Sequence, residues 1–413
     1  MKSQKIINDP VYGFITIPSE LIFGIIDHPY FQRLRRIKQL GLTDMVYPGA
    51  LHTRFHHALG SMHLMSITLE HLRNKGHEIS NAEFEASLLA ILLHDIGHGP
   101  FSHALENTLL NNVHHESLSL LFIEVLNVQF NHQLDLTLKI FTGSYERKFF
   151  HQLVSSQLDI DRLDYLQRDC FFTGVSEGTI GADRIIKMMN IKNDALVVEE
   201  KGIYSIENFL SARRLMYWQV YLHKTTVSAE KMLINLITRA KYLQQSGNYL
   251  NASEELLALL KHNFTVEDFR NNRSIFEDYA QLDDNDIWGA TKLWKKHDDY
   301  ILANISNMLL ERKLFKIHLT NKPLSKDAIH KMKERIRTKL RVPDQDLSYF
   351  FSCGTISNSA YLANDSISIL TKKGKLIDLA QAADLPNIKA MSKIVKKHYA
   401  CHAKELTLRP TLT

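Results

Sequence analysis

The chain has 413 residues, 45% of them hydrophobic, with 50 Lys and Arg against 45 Asp and Glu for a formal net charge of +5. That is enough apolar material for one large or two ordinary packed domains, and a balance this mildly basic permits nucleic-acid contact without demanding it. No apolar run reaches the about 18 residues that span a bilayer, and Cys170, Cys353 and Cys401 follow no metal-binding spacing. A soluble globular protein of the reducing cytoplasm, neither membrane-bound nor exported, is therefore expected.

In chain order, helical periodicity dominates 19–189 and returns over 206–260, with few glycines inside the periodic stretches, so the fold is expected to be mainly α. Phe31, Leu34 and Ile37 alternate with Gln32, Arg33, Arg35, Arg36 and Lys38 as in a basic amphipathic helix. Arg54-Phe55-His56-His57-Ala58-Leu59-Gly60 opens a further helix that continues through His63 and Leu64. The stretch 82–93 predicts a half-buried helix whose last turn is His94-Asp95, ended by Gly97, Gly99 and Pro100. Over 158–169, four aspartates are interleaved with Leu158, Leu163 and Leu166, which mark a partly buried helix.

Two hairpins interrupt the helices. One is expected over 195–204 with Glu200-Lys201-Gly202 as its turn, the other over 366–379 around Lys372-Lys373-Gly374-Lys375. Short helices and loops are expected over 263–294, a helix over 298–312, a basic helix after Pro323, a strand over 347–353 and a closing helix over 388–401. A soft boundary near 320 divides a core, 1–320, from a smaller α+β region, 321–413.

The chemistry concentrates in His94-Asp95-Ile96-Gly97-His98-Gly99-Pro100-Phe101-Ser102-His103, three imidazoles and a carboxylate within ten residues. Such a set is costly to bury without an ion. His94 and Asp95 point about 100° apart, yet both can reach one ion placed against the helix end. Asp161, Asp164 and Asp169 cannot all belong to a solvated face, so some are paired or ligate the same ion. Two imidazoles with two carboxylates suit iron, manganese, zinc, cobalt or nickel better than magnesium; magnesium accompanying substrate phosphates stays open. His98, His103 and His115 can exchange protons near neutral pH, and Glu116 can orient His115.

These ordered motifs, with Asn8-Asp9-Pro10, Phe31-Gln32-Arg33-Leu34-Arg35, Asp161-Arg162-Leu163-Asp164-Tyr165 and Tyr221-Leu222-His223-Lys224, cover roughly half the chain. Together the sequence resembles the HD-domain phosphohydrolases, and among them the deoxynucleoside triphosphate triphosphohydrolases that include the sterile-alpha-motif HD enzyme and bacterial dGTPases. The resemblance implies an HD-domain helical core with small hairpins, a metal held by His57, His94, Asp95 and Asp161, and His103 as the acid on the leaving group. It implies phosphate contacts from Arg54, Arg162, Arg213 and Lys224. Tyr165, Asp169 and Tyr221 fall beside the sugar, and Gln39 and Leu40 near sugar and base. Arg162 stands where the family usually has lysine, and Tyr217 where relatives have histidine. Asn8, Asp27, Gln32 and Arg35 resemble a regulatory nucleotide site between subunits of a homo-oligomer, although an ordinary basic helix explains the last two equally well. Other readings are a relative acting on nucleoside monophosphates or cyclic nucleotides, which would not need the four cations together, and a non-catalytic nucleic-acid-binding protein, which would leave the histidine cluster unexplained.

Overall fold

A computed structural model describes residues 5–110, 113–358, 367–382 and 395–406. The fold is mainly α, and two helices at its centre set up everything else. Arg54–Asn74 starts at Thr53 through a capping box in which the His56 imidazole stands in for the usual Glu: Nδ1 lies 3.1 Å from the Thr53 amide and 2.9 Å from its hydroxyl. Asn81–Leu93 starts with the ordinary form, the Ser80 amide donating to Glu83 Oε2 at 2.8 Å. The expectation of a half-buried helix is corrected here, because every residue from Ala86 to Leu93 is buried. The helix packs against Arg54–Asn74 and is covered by Asp135–Phe141 and Lys148–Val154, so its apolar residues have no reason to keep to one stripe.

The chain then turns through Asp95–Gly97 into Ser102–Leu109 and His115–Gln129. Gly97 is needed there: a Cβ would fall 2.2 Å from the Ser119 amide nitrogen and 2.4 Å from the His115 carbonyl. That close approach brings His115 beside His98. Phe101, with φ 47°, holds a left-handed conformation unusual for a large side chain, just before Ser102–Leu109. Ile160–Thr173 packs across Arg54–Asn74, and its Asp159 cap accepts from the Arg162 amide at 2.8 Å.

Among the described residues three small sheets complete the fold. β1 (Lys5–Asp9) and β2 (Gly13–Ile17) form an N-terminal hairpin that the periodicity did not foretell. β3 (Met189–Lys192) and β4 (Ala195–Glu199) pair antiparallel around Asn193 and Asp194, both at positive φ. The expected 195–204 hairpin is thus displaced; Glu200–Gly202 leads instead into the helix Ile203–Met216. The second hairpin is present as β7 (Ser368–Leu370) and β8 (Leu376–Asp378), and β7 joins β4 in parallel. β5 (Lys316–Thr320), β6 (Phe351–Asn358) and β9 (Val395–His402) form the third sheet with β9 central.

Two expectations fail in that last sheet. The strand expected over 347–353 starts later, after a 3-10 turn over Asp344–Tyr349, and the part of the expected closing helix that is described is the strand β9. Paired on both edges, β9 buries three successive residues, Tyr399, Ala400 and Cys401, while Lys396 near its start is exposed; 388–394 lie outside the described residues. The basic helix over 31–38 is likewise broken into Pro29–Gln32 and a 3-10 turn Arg33–Arg36. Arg33 is not on a solvated face. It is buried, donating to the carbonyls of Ile96, His98, Tyr279 and Leu282 at 2.8–3.3 Å. The helices expected over 298–312 and after Pro323 are present as Tyr300–Leu310 and Lys326–Leu340.

Candidate metal centre and phosphate cleft

His57, one turn into its helix, meets the end of Asn81–Leu93 and the start of Ile160–Thr173 at a single point. His57 Nε2 lies 3.1 Å from Asp161 Oδ1 and 3.8 Å from Asp95 Oδ2; His94 Nε2 lies 3.5 Å from Asp161 Oδ1 and 3.4 Å from Asp95 Oδ1. The other ring nitrogens are committed: His57 Nδ1 to Asp164 Oδ2 at 2.7 Å, His94 Nδ1 to the Ile91 carbonyl at 2.6 Å. With Nδ1–H donated in both rings, each Nε2 presents a lone pair inward, and both Nε2 atoms are buried without a hydrogen-bond partner. Orphaned nitrogens beside two carboxylates are what a divalent ion needs, so His57, His94, Asp95 and Asp161 fit one ion; the ligand atoms of His57, His94 and Asp161 all lie within 4.8 Å of one another.

The electrostatics agree. Burial opposes an imidazolium at His57, yet the Asp161 and Asp164 carboxylates beside its two ring nitrogens push its pKa up to about 10. Burial likewise opposes the charge of Asp95, but His94, His98 and the Arg54 guanidinium hold it well below the usual carboxylate range. The site is built to stabilise positive charge.

Asp95 and Asp161 open into a cavity of about 510 Å³ lined also by Gln39, Leu40, Arg54, His98, His115, Arg162, Tyr165, Asp169, Tyr217, Tyr221 and Glu230. Arg54 Nη1 donates to Asp95 Oδ2 at 2.6 Å and Arg162 Nη1 donates to Asp159 Oδ2, while the Nε of each arginine has no partner among the described residues. His98 bonds Ser102 Oγ at 2.7 Å through Nδ1, and burial together with Arg54 drives its pKa well below the usual imidazole range. Its ring stacks on His115, centroids 3.8 Å apart. Asp169 accepts from the Tyr221 hydroxyl and bonds His52 Nε2, both at 2.7 Å. Tyr217–Tyr221 is one π-helical turn, a widening that brings Tyr217 and Tyr221 to the same cavity. Gln39 Oε1 is buried and unpartnered there.

The residues singled out from sequence divide accordingly. Four fall at the ion cluster and Gln39, Leu40, Arg54, His98, His115, Arg162, Tyr165, Asp169 and Tyr221 line the cavity; Arg213, buried with Nη1 on Gln157 at 3.3 Å, and Lys224, exposed, do not line it. Glu116 is exposed, 3.4 Å from His115 Nε2. His103 falls in the first turn of Ser102–Leu109, with its side chain outside the described residues. Asn8, Asp27 and Arg35 are exposed; Arg35 donates to Gln32 at 2.8 Å and its guanidinium lies 3.6 Å over the Phe55 ring. Sequence reasoning missed His52, which holds Asp169, and Glu106, whose Oε1 accepts the His115 amide at 2.8 Å and faces its Nδ1 at 3.3 Å. It also missed the pairing of Arg168 with Asp9: Asp9 stood within the Asn8-Asp9-Pro10 motif without a role, and Arg168 was marked only by its i,i+4 spacing from Asp164.

The model of the HD domain matches residues 54–169, from Arg54 to Asp169 of this cavity, and that of the HD associated region matches 180–253. A solved phosphohydrolase from Bacteroides thetaiotaomicron is 50% identical, with a TM-score of 0.93 over 97% of this chain and 100% of the other. The uncharacterized protein YwfO of Bacillus subtilis is 35% identical over 76% of this chain and 72% of its own. The deoxynucleoside triphosphate triphosphohydrolase SAMHD1 homolog of Dictyostelium discoideum is 30% identical over 75% of this chain and 66% of its own length. Among the described residues no helix is long and apolar enough to cross a membrane. With the HD-domain match, a relative 35% identical over 72% of its own length and a solved phosphohydrolase 50% identical over its whole length, the chain belongs to the HD-domain phosphohydrolases.

Proposed function

We propose that this cleft hydrolyses deoxynucleoside triphosphates to the deoxynucleoside and inorganic triphosphate. The observation that carries the reading is that one cavity holds Asp95 and Asp161 of the ion cluster, the cations Arg54 and Arg162, and the buried Asp169 with its partner Tyr221. It thus joins an ion site, a clamp for a polyanion and an acceptor for a sugar hydroxyl. The similarity to the Dictyostelium triphosphohydrolase supports the same substrate class.

In this reaction a water oxygen bonds to the α-phosphorus, the P–O5′ bond breaks, and O5′ takes up a proton. An ion at His57, His94, Asp95 and Asp161 would polarise the phosphate and make bound water more acidic. Arg54, fixed by Asp95, and Arg162, fixed by Asp159, would neutralise the triphosphate through fork-like contacts. His98, kept neutral, and His115, anchored by Glu106, would order the phosphate side, with His103 as the proton donor to O5′. Asp169, itself held by His52 and Tyr221, would accept the 3′-hydroxyl, and Gln39 and Leu40 would border sugar and base. Asn8, Asp27, Gln32 and Arg35 would hold a regulatory nucleotide between copies of the chain.

The test is incubation with manganese and each deoxynucleoside triphosphate, with products separated by chromatography. Deoxynucleoside with intact triphosphate supports the reading; nucleoside diphosphate or monophosphate contradicts it.

A further inference from the structure

Behind the ion cluster, on the side away from the cavity, lies a buried chain of charges. Asp164 Oδ2 accepts from His57 Nδ1 at 2.7 Å and from Arg168 Nε at 3.0 Å, while Arg168 Nη2 reaches Asp164 Oδ1 at 3.0 Å. The other edge of the same guanidinium donates from Nη1 to Asp9 Oδ2 at 2.8 Å, 159 residues away in sequence. Asp164 and Arg168 are fully buried and Asp9 is 4% exposed. Asp9 Oδ1 meanwhile accepts from the Val11 and Tyr12 amides at 2.9 and 3.0 Å, which fixes the β1–β2 turn. Tyr12 closes the group, its ring 5.4 Å from the Arg168 guanidinium.

Nothing in the cleft requires Arg168 or Asp9. Three ionised groups without solvent are costly unless each is fully bonded, and Gly60 shows how tightly this one is fitted. A Cβ there would lie 2.1 Å from both Arg168 Nη2 and Asp164 Oδ1. We infer that Asp9 and Arg168 are positioning residues for the ion site: through Asp164 they fix the ring orientation and tautomer of His57, and so tie the N-terminal hairpin to the affinity for the ion. The inference rests on the reading that His57, His94, Asp95 and Asp161 hold an ion.

The relay works by restriction. Two N–H donors from Arg168 fix both oxygens of Asp164, so Oδ2 can take only the Nδ1–H of His57, and Nε2 is left as the ligand atom. Moving the hairpin withdraws Asp9 from Nη1 and lets the guanidinium, then Asp164, then the imidazole rotate.

Asp9→Asn isolates this contact, because the amide oxygen still caps the turn at Val11 and Tyr12 while the carboxylate on Arg168 is lost. Gly60→Ala presses on the same group without touching a ligand. Asp299→Asn, which weakens the Arg239–Asp299 pair elsewhere in the fold, is the control for general loss of stability. Metal-free protein is titrated with manganese, free ion is counted by electron paramagnetic resonance, and the His57 ring nitrogens are followed by ¹⁵N NMR. About tenfold weaker binding is expected for Asp9→Asn and Gly60→Ala, with a mixed tautomer at His57 and unchanged binding in Asp299→Asn. Binding within twofold of the parent chain in Asp9→Asn, or equal weakening in Asp299→Asn, would overturn the relay and leave the ion site standing. A parent chain that takes up neither manganese, cobalt nor zinc would overturn the ion site and the relay with it.

Discussion

Two helices carry an arginine clamped between two carboxylates, one in the HD domain and one near the C-terminus. Arg168 in Ile160–Thr173 bridges Asp164 and Asp9; Arg337 in Lys326–Leu340 bridges Glu334 at 2.6 Å and Asp344 at 2.9 Å. The bonding is alike and the surroundings are opposite. Arg168 is wholly buried against Asp164, the partner of His57, whereas Arg337 and Glu334 are half-exposed and Asp344 is exposed. In water such a pair stabilises little, and in the interior loss of a partner strands a charge. The comparison extends to the regions themselves: between 54 and 169 buried polar groups hold one another in register, while the basic residues of the C-terminal helix mostly face solvent.

The largest effect that could break this contrast concerns the ligands. Asp161→Ala removes the carboxylate shared by both imidazoles, so bound ion should vanish by elemental analysis and turnover should fall by at least about a hundredfold, more than an outer partner would cost. Full occupancy would remove Asp161 from the site. Next comes Arg168→Met, which leaves Asp9 and Asp164 buried without their cation and should lower unfolding free energy by roughly 3–5 kcal/mol in denaturant titration. Arg337→Met should be indistinguishable from the parent chain. Equal losses at the two sites would erase the distinction.

Glu106 gives a smaller, pH-dependent contrast. Burial opposes its charge, but the His115 ring and amide draw its pKa down to about 2. A depressed carboxylate contributes stability that is present above its unfolded pKa of about 4.3 and is lost as pH falls towards 2. Glu106→Gln should therefore melt lower than the parent at pH 6, by about 1 kcal/mol, and the two should converge near pH 2; a constant gap would show that the carboxylate's charge is not what matters. The smallest effect belongs to Arg35→Ala, expected to leave basal turnover unchanged and to abolish any rise in mass by light scattering on adding guanine nucleotide. Retention of that rise would leave Arg35 a surface cation.

What was legible in the sequence follows the range of the interactions involved. His94, Asp95 and the aspartates of 158–169 stood out because polar groups sat inside apolar periodicity, and the cause of that misfit is a buried site. Asp161 meets the ion cluster, Asp164 meets His57 and Arg168, and Asp169 meets His52 and Tyr221. The Asp9–Arg168 contact left no local pattern, since its partners are brought together only by the hairpin packing on the helix. The 82–93 helix was read as half-buried although neighbours cover the whole of its 86–93 stretch, and β9 was read as a helix because its pairing on both edges is with strands distant in sequence. Lys201-Gly202 looked like a turn, but Asn193 and Asp194 were the residues able to adopt positive φ. Arg213 and Lys224 came from resemblance alone, and this chain's cavity is lined without them.

The most direct test of the account is hydrolysis of a deoxynucleoside triphosphate in H₂¹⁸O with mass analysis of both products. Attack at the α-phosphorus with cleavage of P–O5′ predicts one ¹⁸O in the inorganic triphosphate and none in the deoxynucleoside. Label in the deoxynucleoside, or its appearance in diphosphate or monophosphate products, would contradict the chemistry assigned to this cleft.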